Sequence, residues 1–102
     1  MITIVALLTI RDADAFDQFE RQADAIMKIH GGQIDSAFRP DAPTVQASNV
    51  DEIHVLKFPN HEAFDRYRSD DKLIALAALR EKAISRSTVY VSSIEVDYSP
   101  QE

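Results

Sequence analysis

A chain of 102 residues, 45% hydrophobic and with only two glycines and four prolines, has the length and apolar content of one compact domain spanning 1–102. A formal net charge of -6 without a Lys/Arg cluster argues against a nucleic-acid partner, because non-specific affinity for phosphate backbones comes from grouped cations. The lack of any cysteine excludes disulfides, thiolate nucleophiles, thiolate-bound zinc and iron–sulfur centres.

The opening run MITIVALLTI alternates branched residues in strand fashion, with no basic residues ahead of it and too little length to span a bilayer. It reads as a strand of a soluble, cytoplasmic protein, with no membrane partner. In RDAD, Asp12 or Asp14 can cap a helix, whose first N–H groups need an acceptor. From Ala15 to His30 the apolar positions Phe16, Phe19, Ala23, Ile26 and Met27 recur at helical spacing, and Gly31 and Gly32 end the helix. QIDSAFR reads as a second strand stopped by Pro40 and Pro43, PDAPTVQASN as a polar connection, and DEIHVLKF as a third strand. Pro59 closes that strand and Asn60 caps a helix over HEAFDRYR, which is reset at SDD, where Ser69 or Asp70 can cap again, and continues through KLIALAALREKAI. STVYVSSIEVDY is the last strand.

The order β-α-β-β-α-β is the ferredoxin-like α+β arrangement, a four-stranded antiparallel sheet carrying both helices on one face. Such a sheet leaves its second face bare. The first strand is nevertheless apolar on both sides, with Ile2, Ile4, Ala6, Leu8 and Ile10 pointing one way and Val5 and Leu7 the other. An exposed apolar sheet face exceeds the patch size that soluble monomers tolerate, so a homodimer packed sheet to sheet is expected.

HGGQI after an amphipathic helix, then LKFPNHEAFDRYRSDD, ALAALREKAI and a valine-rich final strand, resemble the dimeric α+β barrel superfamily. Within it the chain is most similar to a short family of unknown function with an F-P-S-x-E-A-A stretch, a Tyr-x-Ser and a Leu-Arg. The matching positions are Phe58, Pro59, Asn60, Glu62, Ala63, Tyr67, Ser69, Leu79 and Arg80. Antibiotic biosynthesis monooxygenase-like proteins are a more distant resemblance. Where relatives have Ala-Arg-Gly-Gly after the second strand, this chain has AFRPDAP, which sets Arg39 about two positions off the family arginine. It also has His54 where a strand valine is expected. The resemblance implies a ferredoxin-like protomer in a sheet-to-sheet dimer, without a cofactor. Among superfamily activities it leaves a cofactor-independent oxygenase or an isomerase-like enzyme open, and disfavours the haem branch because no tryptophan is present.

The histidines are the first place to look for chemistry. Four strand steps from His54 to Phe58 span about 13 Å and His61 lies beyond a turn, so the two cannot converge on one metal ion within a chain. HEAFD lacks the second histidine of an HExxH site; no metal site is expected. His61 and Glu62 belong to a solvated first helical turn, where an acidic residue suits the macrodipole. His30, in the last turn of the first helix, can satisfy terminal carbonyls. His54 shares a strand face with Leu56 and Phe58, so it points either under the helices or between two sheets, as a hydrogen-bonded core histidine or as a pocket-lining acid/base. Tyr67 and Tyr90 can add phenols to such a pocket and Arg39 can pair with an anionic group. The ligand-pocket candidates are therefore His54, Arg39, Tyr67 and Tyr90. Two functions follow: an enzyme acting on a small molecule, or a non-catalytic metabolite-binding or interaction module with a packed interior. A cavity walled by His54 favours the first.

Overall fold

The structure, a computed structural model, describes residues 1–41 and 49–100. Strand β1 (Ile2–Ile10) is followed by helix α1 (Ala13–Ile29), strand β2 (Gln33–Phe38), strand β3 (Glu52–Phe58), helices α2 (His61–Arg68), α3 (Asp71–Ile74) and α4 (Ala77–Ala83), and strand β4 (Ile84–Ser92). The strands form one antiparallel sheet in the order β2-β3-β1-β4, the ferredoxin-like topology. The polar connection expected over residues 40–49, Pro43 included, lies mostly outside the described residues.

The expected caps form, and the open choices are decided by geometry. Asp12 accepts from the Ala15 N–H at 2.9 Å, Asn60 from Ala63 at 2.8 Å, and Asp70 from Lys72 at 2.8 Å, each satisfying a donor that the first helical turn leaves free. The two glycines after α1 do different work. Gly31 has a φ of 76°, in the left-handed region that ends a helix, whereas Gly32 is needed for space: a Cβ there would lie 2.4 Å from Phe58 Cε1 and 2.7 Å from Met27 Cγ. The His30 backbone N–H donates to the Met27 carbonyl of its own helix at 3.0 Å, while its imidazole pairs with another element. Its Nε2 donates to Asp70 Oδ2 at 2.8 Å, tying the end of α1 to the cap of α3. That bond, then the Lys72 N–H, holds the Asp70 carboxyl below the usual range.

Two expectations are corrected. The segment after Asp70 is not one helix; the chain breaks at Ala75 and Leu76, and Leu73 and Leu76 on either side of the break pack against both halves of the core. The last strand starts earlier and stops sooner than STVYVSSIEVDY. Ile84 already pairs with Ile10, and pairing ends at Thr3 with Ser92, where β1 runs out of partners. Residues 93–98 therefore carry Ile94, Val96 and Tyr98 outside the sheet, all exposed.

Alternation along β1 and β3 divides the two faces as the sequence predicts. Ile2, Ile4, Ala6 and Leu8, with His54, Leu56 and Phe58 opposite them, are buried under the helices. Val5, Leu7, Ile53 and Val55, half-buried, lie on the other face, which no helix or strand among the described residues covers, together with Phe38 and Tyr90 at 51% and 61% exposure. The buried core separates into two clusters. One gathers around Phe58, Phe64, Tyr67 and Met27, the other around Phe16, Phe19, Leu8 and Ile84.

Candidate functional site

Between those clusters, on the helix side of the sheet, lies a cavity of about 190 Å³. Its apolar wall takes Ile4, Met27, Leu56 and Phe64 from one cluster and Ala6, Leu8, Phe19 and Ala23 from the other. Alanine at positions 6 and 23, where each element could have carried a longer side chain, helps to keep the space open. Polar groups also line it: Glu20 from α1, His54 from β3, Tyr67 and Arg68 from α2, Arg80 from α4 and Ser87 from β4.

His54, only 5% exposed, is held between two carboxylates. Its Nε2 donates to Glu52 Oε2 at 2.5 Å, and its Nδ1 is 3.7 Å from Glu20 Oε2. Glu52 in turn accepts from Arg39 Nε at 2.9 Å. A chain of polar groups thus runs from an exposed arginine at the end of β2 through Glu52 and His54 to Glu20 at the cavity. Among the described residues, no buried side-chain nitrogen or oxygen lacks a partner, as a polar group in a core requires.

Burial pushes the Glu20 carboxyl above the usual range, opposed first by His54 and supported by the Glu52 charge. Burial, and next the Glu20 charge, pushes the Tyr67 phenol up to about 12, so it stays protonated and can only donate or accept as O–H. A carboxyl held above its usual range beside an imidazole, in an apolar cavity, is a candidate to exchange a proton with a ligand.

The four residues singled out from the sequence do not converge. His54 and Tyr67 line the cavity. Arg39 reaches it only through Glu52, and Tyr90, opposite Val5, belongs to the uncovered face of the sheet. The groups that sequence reasoning missed are Glu20, Glu52 and Arg80. Glu20 was detectable: it falls four residues after Phe16 and three before Ala23, on the stripe that faces the core, where a carboxylate is out of place. Glu52 lies two residues before His54 and so on the same strand face. Arg80 carried no such signal, since an arginine near the end of a surface helix is ordinary.

His61 is exposed at the start of α2, with Glu62 pairing to Arg66 at 2.6 Å. Among the described residues, no three His, Asp or Glu side chains are grouped to hold a metal ion, and no helix is long and apolar enough to cross a membrane. A broad recess at the sheet corner, between Ser92–Asp97 and Met1, Thr3 and Lys57, is open and carries Lys57, Glu95 and Asp97 on its walls; there Lys57 Nζ donates to Thr3 Oγ1 at 2.7 Å.

Solved structures of the same fold are numerous. A protein of unknown function from Rhodopseudomonas palustris superposes with a TM-score of 0.84 at 15% identity, covering 94% of this chain and 83% of that one. SnoaB from Streptomyces nogalater, described as a cofactor-independent oxygenase, gives 0.66 at 13% identity, covering 97% of each chain. A dimeric ferredoxin-like protein of unknown function from Thermobifida fusca gives 0.59 at 14% identity, covering 91% of this chain and 90% of that one. At these identities the likeness is one of fold, the ferredoxin-like arrangement of a four-stranded antiparallel sheet with its helices. No curated protein matches the sequence. The family described as Domain of unknown function (DUF1330) matches residues 3–94, and the chain belongs to it.

Proposed function

We propose that this protein is a homodimer in which each protomer binds a small molecule in the cavity between sheet and helices and moves a proton on it through Glu20. The observation that carries the reading is the cavity itself, which sets a buried Glu20–His54 pair against apolar walls. Glu20 is the group presented to a ligand. His54 neutralises it when it is ionised, and Glu52 keeps the imidazole oriented. Abstraction of a proton from an acidic C–H or O–H is the chemistry this arrangement suits, and it is the opening step shared by cofactor-independent oxygenation and by isomerisation. The likeness to SnoaB lends the oxygenase branch some support at the level of fold.

A non-catalytic binding module is the second reading. It is favoured by the imidazole Nε2 being committed to Glu52, which leaves only Nδ1, 3.7 Å from Glu20, for a substrate. A ligand-stabilisation screen followed by turnover assays separates the two. Ligands that raise the melting temperature of wild type by mass action should fail to do so in Ala23→Leu, which fills the cavity. Glu20→Gln should retain ligand binding and lose turnover; a catalytically unaffected Glu20→Gln would sink the proton-transfer reading.

The dimer rests on the uncovered face, where Val5, Leu7, Ile53 and Val55 are flanked by exposed Phe38 and Tyr90. Sedimentation equilibrium at micromolar concentration should report a dimer for wild type and a monomer for Val55→Asp, which puts a charge amid that face. A wild-type monomer would refute the assembly.

A further inference from the structure

Two arginines line the cavity, and they are not equivalent. The Arg68 guanidinium is engaged, donating to Asp65 at 3.0 Å and lying 4.6 Å over the Phe64 ring. Arg80 has a neutral partner: its Nη2 donates to the Ser87 hydroxyl at 2.9 Å. Among the described residues, no carboxylate lies within 4.0 Å of it. A guanidinium has five N–H donors and stays charged at every physiological pH, so most of its bonding capacity is left unused by the protein. Ser87 sits beside it as a second donor, and both line the cavity.

The rest of the wall accounts for what such a cation could receive. Ile4, Ala6, Ala23 and Leu56 offer nothing polar. Glu20 and the Glu52 behind His54 make the inner polar wall unfriendly to a second negative charge while Glu20 is ionised. Among the described residues lining the cavity, Arg80 with Ser87 is the cationic group not already paired with a carboxylate, and so the one best placed to take an anion.

Resting on the reading of this cavity as a ligand site, we infer that its ligand is a small monoanion, a carboxylate on an aromatic or short aliphatic body, with the charged oxygens on Arg80 and Ser87 and the body between the two core clusters. A volume of about 190 Å³ is below the common range of roughly 300–1,000 Å³ for drug-sized ligands, which sets the body at a single ring or a few carbons. Placed there, the group to be deprotonated or protonated lies deeper, toward Glu20.

Proton linkage follows. The charged and titratable groups around Glu20 are His54 and Glu52 from β3, Arg80 from α4, Tyr67 from α2 and Asp24 on its own helix. An arriving anion draws on the Arg80 charge that now favours ionised Glu20, so part of the carboxyl population takes up a proton as the ligand binds, and only the part that stays ionised can abstract one. Affinity accordingly falls as pH rises.

The test is isothermal titration of benzoate, phenylacetate and butyrate, each beside its primary amide, into wild type, Arg80→Met and Arg80→Lys. At least one acid should bind wild type about tenfold or more tighter than its amide, as expected for a charge-assisted contact. That preference should vanish in Arg80→Met and partly survive in Arg80→Lys. Buffers of different ionisation enthalpy should report net proton uptake by wild type. Amides binding as tightly as acids, or a preference untouched in Arg80→Met, would overturn the anion assignment while leaving the cavity as a ligand site. Silence from every probe, amides included, would overturn both this inference and the reading it rests on.

Discussion

His54→Leu should cost about 3 kcal/mol of folding stability near pH 8, the low end of the roughly 3–5 kcal/mol for stripping a buried charge of its partner, and much less near pH 4.5. The imidazole separates two carboxylates, Glu52 at 2.5 Å and Glu20 at 3.7 Å, whose side chains are 13% and 20% exposed. That residual solvent contact moderates the penalty. With leucine between them, both carboxylates lose the group that offsets their burial, and the Glu20 carboxyl rises further. The sign follows from linkage. A carboxyl whose folded pKa lies above its unfolded value binds its proton more tightly when folded, so stability falls as pH rises from about 4.5 through the folded value. Below that window the Glu20 share of the penalty is absent because Glu20 is protonated in both states. Urea denaturation of wild type and variant across pH should therefore show a gap that closes on the acid side. A gap of constant size would mean that His54 contributes packing alone, and no gap would remove it from the polar chain.

Phe58→Ala should be the most damaging truncation in the core, at about 3–5 kcal/mol out of a total of roughly 5–15 kcal/mol for a domain. Phe58 is 0% exposed, stands edge-on to Phe64 with centroids 5.2 Å apart, and lies 5.4 Å from Tyr67. Its ring also fills the place that a side chain at Gly32 would need. Gly32→Ala alone should overpack the core by about 1–3 kcal/mol, because the new Cβ falls well inside contact distance of the ring. In the Phe58→Ala background the same substitution should be close to neutral, with Met27 able to shift its flexible chain. Strict additivity in the denaturation midpoints would show that Gly32 and Phe58 do not compete for this space.

The two predictions also mark how differently the fold and the site could be read from the chain. The apolar alternation of β1, the stripe on α1, the caps at Asp12 and Asn60 and the double glycine are local patterns. They depend on a residue's near neighbours, so the element order and the ferredoxin-like topology were legible before any coordinates. The end of β4 was not, because a strand stops where its partner stops, and Ile94 and Val96 look as strand-like as Val89 and Val91. Nor was the break at Leu76, which serves packing against two clusters that have no existence in the linear sequence.

The site lay further out of reach for the same reason. His54 could be placed on a strand face by alternation alone, yet which carboxylates flank it was decided by the antiparallel pairing that seats β3 beneath α1 and brings Glu20 across from it. Arg80 and Ser87 are close in sequence but meet the cavity only because α4 turns directly into β4 at the sheet edge. The sequence by itself determined the elements, their order and the two-faced apolar sheet, since those follow from period and propensity over short windows. Only the tertiary structure decided where the core divides, which small residues leave the cavity open, and which charges face it, since those depend on contacts between residues far apart in the chain.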